Sequence, residues 1–311
     1  MPRKRVQVRA EPLFRFAEII GGRHLICTTV GPQLDPVLLS LEETPDYRTE
    51  QPGWASFPRK QAARPNHFRI HYRVADEVWT TVDLPETDEN YHQAQPLGSE
   101  EWLLVRGRAD DEDDCNAQVF DACGRHLQSF HAGDGIQEMQ VTADGQVWVS
   151  YFDEGVFSGM SLSGSGLVCL DRHGECSFRF PGKYGGTPPD IVDCYALNVA
   201  SDREAWLYYY TDFPLVRLVD GKVDGIWTNL PVDGSPAFAV QAGMVLFAGG
   251  YNRKDELFLV HLATMKCRTL LAVDDEHQPI KPIHAFGRRG SLFLQTDDSL
   301  FILPAHVWES L

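Results

Sequence analysis

Two short stretches of this 311-residue chain carry the side chains best suited to recognition. One reads Tyr151-Phe152-Asp153-Glu154, with Phe157 just beyond. The other reads Tyr209-Tyr210-Thr211-Asp212, with Phe213 next. Each follows a tryptophan, Trp148 or Trp206, at the same spacing, so the two align position for position. Tyr251, Arg253 and Asp255 stand in a third comparable stretch, and His131, Asp134, Tyr184, Asp193 and Tyr195 fall in the connections before two of the repeats. Aromatic rings with a polar tip contribute strongly to protein interfaces and sugar sites. The expected partner-binding face is therefore Phe152, Asp153, Glu154, Phe157, Tyr184, Asp193, Tyr195, Tyr210, Asp212, Phe213 and Tyr251. In the competing reading, the rings fill gaps between sheets and the acids form turns.

Other chemistry is less well supplied. A metal-dependent lactonase would need an oxygen-rich cage of carboxylates and amides on the innermost strands, and Ca²⁺ is the cation such a cage would hold. The innermost runs offer Glu18, Gln95, Gln140, Asn198 and Gln241, with His284 near the last. One carboxylate among amides is a poor divalent site. Glu18, Asp134 and Asn198 are the candidates, and no metal or cofactor is expected. The run Asp110-Asp111-Glu112-Asp113-Asp114 lacks the alternating ligands and the glycine of a calcium loop, so it reads as a solvated acidic loop open to a basic partner. Gly164-Ser165-Gly166 is no nucleophile elbow, none of the 11 histidines pairs with a Ser or Cys in a readable motif, and there is no phosphate-binding glycine loop. No catalytic residue is assigned.

The elements that must position these residues are short strands. From Asp134 to Phe180 the chain reads IQEMQVT, the turn Ala143-Asp144-Gly145, QVWVSYF, a break, GLVCL, the turn Asp171-Arg172-His173-Gly174, and ECSFRF. Four β-rich runs with three turn signals make one propeller blade. The pattern recurs at Tyr91–Phe130, where Asp121-Ala122-Cys123-Gly124 matches the second turn, and at Asp193–Leu230 and Pro236–Val273. Second-strand aromatics recur at Trp102, Trp148, Trp206, Phe247 and Phe293, a spacing proper to blades. A first blade opens at Leu13 with LFRFAEII and RHLICTTV and is completed by HFRIHYRV and EVWTTVDL. A Pro-rich insertion at about 42–65, with Trp54 and Phe57, separates the halves. The last unit, from His284 to Pro304, has three strands, and the N-terminal VQVRA run is the expected fourth. The expectation is one all-β domain over 1–311: a six-bladed β-propeller, with five or seven blades as alternatives, closed by N- and C-terminal strands.

VWVSYFDEGVF at 147–157 and DCYALNVAS with YYYTDFPLVRL at 193–218 resemble a family of bacterial propeller proteins, with a looser similarity to NHL-repeat and gluconolactonase-like propellers. The resemblance spans about residues 90–260. It implies the fold and carries no catalytic residues.

Charge bounds the partners. With 28 basic and 44 acidic side chains the formal net charge is −16, which repels phosphate backbones and anionic lipids and favours a basic partner. Seven scattered cysteines without a CxxC pair suggest neither a disulfide framework nor a zinc site, although Cys169 and Cys176 flank one hairpin turn. With no apolar leader and no membrane-length apolar run, the chain reads as cytoplasmic. The leading functional expectation is a non-enzymatic binding module, immunity- or inhibitor-like, for a basic protein. A metal-dependent lactonase or hydrolase is the alternative, and carbohydrate binding the third reading. The oligomeric state is not legible.

Overall fold

The strands form where β-branched and aromatic residues cluster between turn formers. The computed structural model describes residues 6–46, 48–49, 57–75 and 78–311. Six sheets are the blades of a six-bladed β-propeller, five of four antiparallel strands and one with a fifth, parallel strand added, three blades in each of two compact units, Ile19–Asp193 and Met1–Glu18 with Cys194–Leu311.

The first unit holds blades 1 to 3. Blade 1 is built from His24–Val30, Pro36–Leu41, Phe68–Tyr72 and Thr80–Asp83, and blade 2 from Gln93–Pro96, Glu101–Val105, Ala117–Asp121 and His126–Phe130. Blade 3 is Ile136–Val141, Val147–Tyr151, Leu167–Leu170 and Cys176–Arg179. Leu39, Ile70, Leu104 and Phe120 pack between blades 1 and 2, and Leu103, Val119, Met139 and Val149 between blades 2 and 3. The two matching hairpin turns share one purpose. Gly124 and Gly174 are left-handed, φ +76° and +88°, a conformation that costs glycine little. Each abuts the preceding blade: a Cβ on Gly124 would fall 2.1 Å from the Asp83 carbonyl oxygen, and one on Gly174 2.5 Å from Phe130.

The second unit holds blades 4 to 6. Blade 4 is Asp193–Ser201, Glu204–Tyr210, Leu215–Val219 and Lys222–Trp227, its first strand opening at the unit boundary. Blade 5 is Phe238–Gln241, Met244–Ala248, Leu257–His261 and Lys266–Val273. Blade 6 is His284–Arg288, Ser291–Gln295, Ser299–Leu303 and, as its outermost strand, Glu11–Arg15. Joining N- and C-terminal strands in one blade is the expected closure.

The donor strand differs from the expectation. Val6–Arg9, within VQVRA, lies parallel to Lys266–Val273 as a fifth strand of blade 5, burying Val8. The next segment, Glu11–Arg15, pairs with Ser299–Leu303. The stretch LFRFAEII is consequently not a first-blade strand. It ends the blade 6 strand and continues as the helix Phe16–Ile20, whose i, i+4 residues Phe16 and Ile20 face inward. RHLICTTV becomes the innermost strand of blade 1, and the following DPVLLSLE supplies the second. The insertion leaves that blade after Leu41 and returns at Phe68; Trp54 lies outside the described residues. Gln61–Asn66 from the insertion pairs with Thr87–Glu89.

Cys169 and Cys176 do not face each other. A bulge shifts the register so that Cys169 opposes Phe178 and Leu170 opposes Cys176. All seven cysteines are free thiols. Among the described residues no helix is long and apolar enough to cross a membrane.

Candidate functional site

In blade 4 the second and third strands are joined by only four residues, 211–214. So tight a connection turns Phe213 inward: it is 6% exposed and left-handed at φ +48°. A bulky side chain there costs roughly 1–3 kcal/mol and persists only where its surroundings hold it. They do so with rings. Tyr208 stacks on Phe213 at 5.3 Å between centroids, and Tyr195, Tyr251 and Tyr210 surround it at 5.1, 5.5 and 5.6 Å. Tyr208 is itself fixed by donating its hydroxyl to the Val232 carbonyl at 2.7 Å. The Tyr195 and Tyr251 hydroxyls meet at 2.6 Å. Of the expected face residues in this unit, Tyr210 and Tyr251 are 41% and 50% exposed, Asp212 is exposed and Tyr195 is half-buried. Phe213 contributes no surface of its own; it is the support beneath the others.

Asp233, Asn252 and Phe258 were not singled out from the sequence. With Tyr251 and Arg253 they line a cavity of about 170 Å³ beside this cluster. The guanidinium of Arg253 lies 4.4 Å over the Phe258 ring, pairs with Glu256 and donates to Thr269 Oγ1 at 2.8 Å.

The corresponding blade 3 loop, 152–166, is much longer and folds into the helical turn Asp153–Val156 and the 3₁₀ turn Ser163–Ser165. With that extra length Phe157 stays outside, 71% exposed, where its blade 4 counterpart is buried. Tyr184, in the connection to blade 4, is 99% exposed. Asp193 is half-buried. Burial pushes its carboxyl up to about 6, with the charge of Asp153 adding.

Glu154 and Phe152 are held by a residue the sequence reading passed over. Arg108 donates from Nε to Asp134 Oδ1 at 2.8 Å, from Nη2 to Asp134 Oδ2 at 3.1 Å and from Nη1 to Glu154 at 2.5 Å, with its guanidinium 5.8 Å from the Phe152 ring centre. The acidic run behaves similarly. Asp114 takes a two-point bond from Arg106 at 2.6 and 3.1 Å, Asp110 pairs with Lys60, and Glu112 accepts the Ser161 amide at 2.6 Å. The loop is tied down rather than simply solvated. The signal was present in Arg106 and Arg108, two cations alternating just before five acids.

The cation-site candidates are corrected by their own partners. Asp134 is buried, and its oxygens already accept from Arg108 and from the Ala109 amide at 2.9 Å. Asn198 donates to the carbonyls of Phe238 and Arg289 at 2.9 and 3.0 Å and accepts the Arg289 amide at 2.7 Å, stapling blade 4 to blades 5 and 6. Glu18 sits exposed on the helix Phe16–Ile20, not on an innermost strand. Gln95 likewise bridges blades, donating to Val30 O at 3.3 Å and accepting from the Val141 amide at 3.4 Å. Among the described residues no three His, Cys, Asp or Glu side chains gather closely enough to hold a metal. Asn198 and Gln95 are blade staples, as buried polar groups must find partners, while Gln140 donates to Glu138 of its own strand.

The YxzG family matches residues 167–303 of this chain. No curated protein matches it. Among solved structures the chain is similar to a streptogramin B lyase, with 9% identity, a TM-score of 0.46, and 89% of this chain and 92% of that one covered. It is also similar to a gluconolactonase from Xanthomonas campestris, with 11% identity, a TM-score of 0.42 and coverages of 97% and 99%. A CNH domain gives 9% identity, a TM-score of 0.46 and coverages of 96% and 98%. The YxzG match takes in 193–218, one of the two stretches on which the resemblance to a propeller family rests.

Proposed function

We propose that this protein is a non-enzymatic binding propeller of the cytoplasm, whose acidic, aromatic loops engage a basic protein. The observation that carries the reading is the solvent exposure of Phe157, Tyr184, Tyr210 and Tyr251, on connections or at the strand ends beside them, together with Asp153, Asp193 and Asp212 in the same stretches of a chain of net charge −16. Tyrosines are among the usual anchors of interfaces, and carboxylates beside exposed rings add complementarity to a basic surface. The free thiols suit a reducing compartment. An immunity- or inhibitor-like role, masking a basic enzyme, fits the same charge.

The test is a binding titration of the purified protein against a lysine-rich and a glutamate-rich polypeptide at about 50 and about 300 mM salt, where screening differs strongly. The lysine-rich chain should bind, more weakly at high salt. Asp153→Lys and Asp212→Lys should each weaken it by about threefold to tenfold. Equal binding of both polypeptides, or no change in either variant, defeats the reading.

A further inference from the structure

We infer that the ring cluster of blades 4 and 5 is a receptor for a lysine side chain of that basic partner, with the ammonium held against the faces of Tyr210 and Tyr251. The inference rests on the proposed function and adds the chemistry of one subsite.

Three features carry it. The first is preorganisation. Phe213 is held in a strained conformation among four rings, the fully buried Tyr208 included, and the Tyr195–Tyr251 hydroxyl bond at 2.6 Å fixes two of them. Tyr251 is further pinned by Gly234, where a Cβ would meet its ring at 2.6 Å. Strain maintained at the surface, beneath side chains left half in water, is expected of a recognition site.

The second is ring geometry. Tyr195, Phe213 and Tyr251 are mutually near-perpendicular, at interplanar angles of 74° to 89° with centroids 5.1 to 6.0 Å apart. With Phe213 buried, this packing leaves Tyr251 exposed on one side of it and Tyr210, tilted at 59° to it, exposed on another, and cations are drawn to π-faces within about 6 Å.

The third is precedent and charge within the same loops. The neighbouring ring, Phe258, already carries a cation, Arg253, at 4.4 Å. Arg253 is committed to Glu256 and Thr269, while the exposed acids Asp212 and Asp233 flank the tyrosines and the exposed Lys254 is the opposing charge. Carboxylates beside exposed rings favour an alkylammonium over a neutral apolar group.

The experiment uses the full chain with ring-labelled tyrosine and follows its NMR spectrum. The ligands are tetralysine, tetralysine acetylated on every Nε, choline, and 3,3-dimethylbutan-1-ol, the neutral isostere of choline. Tetralysine and choline should shift the Tyr210 and Tyr251 resonances. Each should bind at least about threefold more tightly than its neutral counterpart, and Tyr210→Leu and Tyr251→Leu should each lose about threefold to tenfold while keeping apolar area. Choline binding no better than its isostere overturns the inference without recourse to any variant, so a misfolded mutant cannot shield it. Unchanged tetralysine binding in both leucine variants overturns it too. If Asp212→Lys still weakens tetralysine in that case, the acidic binding face stands and only the ring subsite falls. Choline binding without tetralysine binding defeats the lysine assignment together with the proposed function.

Discussion

Asp134 and Arg108 form a two-point ion pair, at 2.8 and 3.1 Å, between the start of blade 3 and the loop that leaves the second strand of blade 2. Both are largely buried, and removing one partner of such a pair strands the other. Asp134→Asn should destabilise the protein by about 2–4 kcal/mol in urea melts. The joint replacement Arg108→Met with Asp134→Leu should cost less than the single change. The same contacts position Glu154, so Asp134→Asn should also loosen the helical turn Asp153–Val156, read as faster amide exchange there.

Asp193 gives stability a dependence on pH opposite to the usual carboxylate. Its folded value, about 6, lies above the ordinary 3.8, so between these values the folded state binds more protons than the unfolded one. The contribution is most favourable below the lower value and is lost as pH rises towards 6. Asp193→Asn should therefore raise the melting temperature at pH 7 and leave it nearly unchanged at pH 4. Asp153→Asn should bring the Asp193 titration, followed by NMR, down towards its ordinary range.

His71 works the other way. Burial, with Arg69 and Arg23 nearby, holds its imidazole down at about 4, and its Nε2 lies 2.8 Å from Ser40 Oγ. The unfolded chain takes up this proton first, so stability is lost as pH falls from about 6.5 towards 4. Histidine NMR should show His71 neutral throughout the range above pH ~5. An imidazolium signal for His71 near pH 6 would contradict the assignment.

Gly124 makes a sharper structural demand than a turn alone. Gly124→Ala must relieve both the left-handed backbone and the approach to the Asp83 carbonyl, and should cost about 3 kcal/mol or more. Asn at the same position tolerates the backbone but not the approach, so it should rescue little. Full rescue by Asn would reduce the position to ordinary turn chemistry.

What the sequence disclosed followed from how local the controlling interactions are. Blades 2 to 5 were legible because each hairpin turn is written in adjacent residues, as in Asp121–Gly124 and Asp171–Gly174, and because Trp102, Trp148 and Trp206 mark second strands. The N-terminus misled because VQVR and EPLFR are both plausible edge strands. Only long-range pairing, Val6 with Leu270 and Glu11 with Ile302, decides which blade each joins. In the candidate site the exposed rings were readable, but the roles of Phe157 and Phe213 were not. Loop length separates them, residues 152–166 against 211–214, and the strand ends that set those lengths are not marked by adjacent residues. Arg108 escaped notice because its partners, Asp134 and Glu154, lie in other loops.

The insertion in blade 1 leaves and returns at a single rung of one sheet, Leu41 opposite Phe68. A hairpin connection of two to five residues would close that rung equally well. The excursion is therefore a cassette: it can be exchanged, by evolution or by a designer, without renumbering any other hydrogen bond in the blade. It does not hang free, because the Asn90 side-chain amide donates to the Asp46 carbonyl at 3.0 Å and Lys60 reaches Asp110. A replacement cassette that kept those two anchors would inherit a fixed orientation beside the acidic loop, which makes this rung the natural port for grafting a second recognition element or an optical reporter.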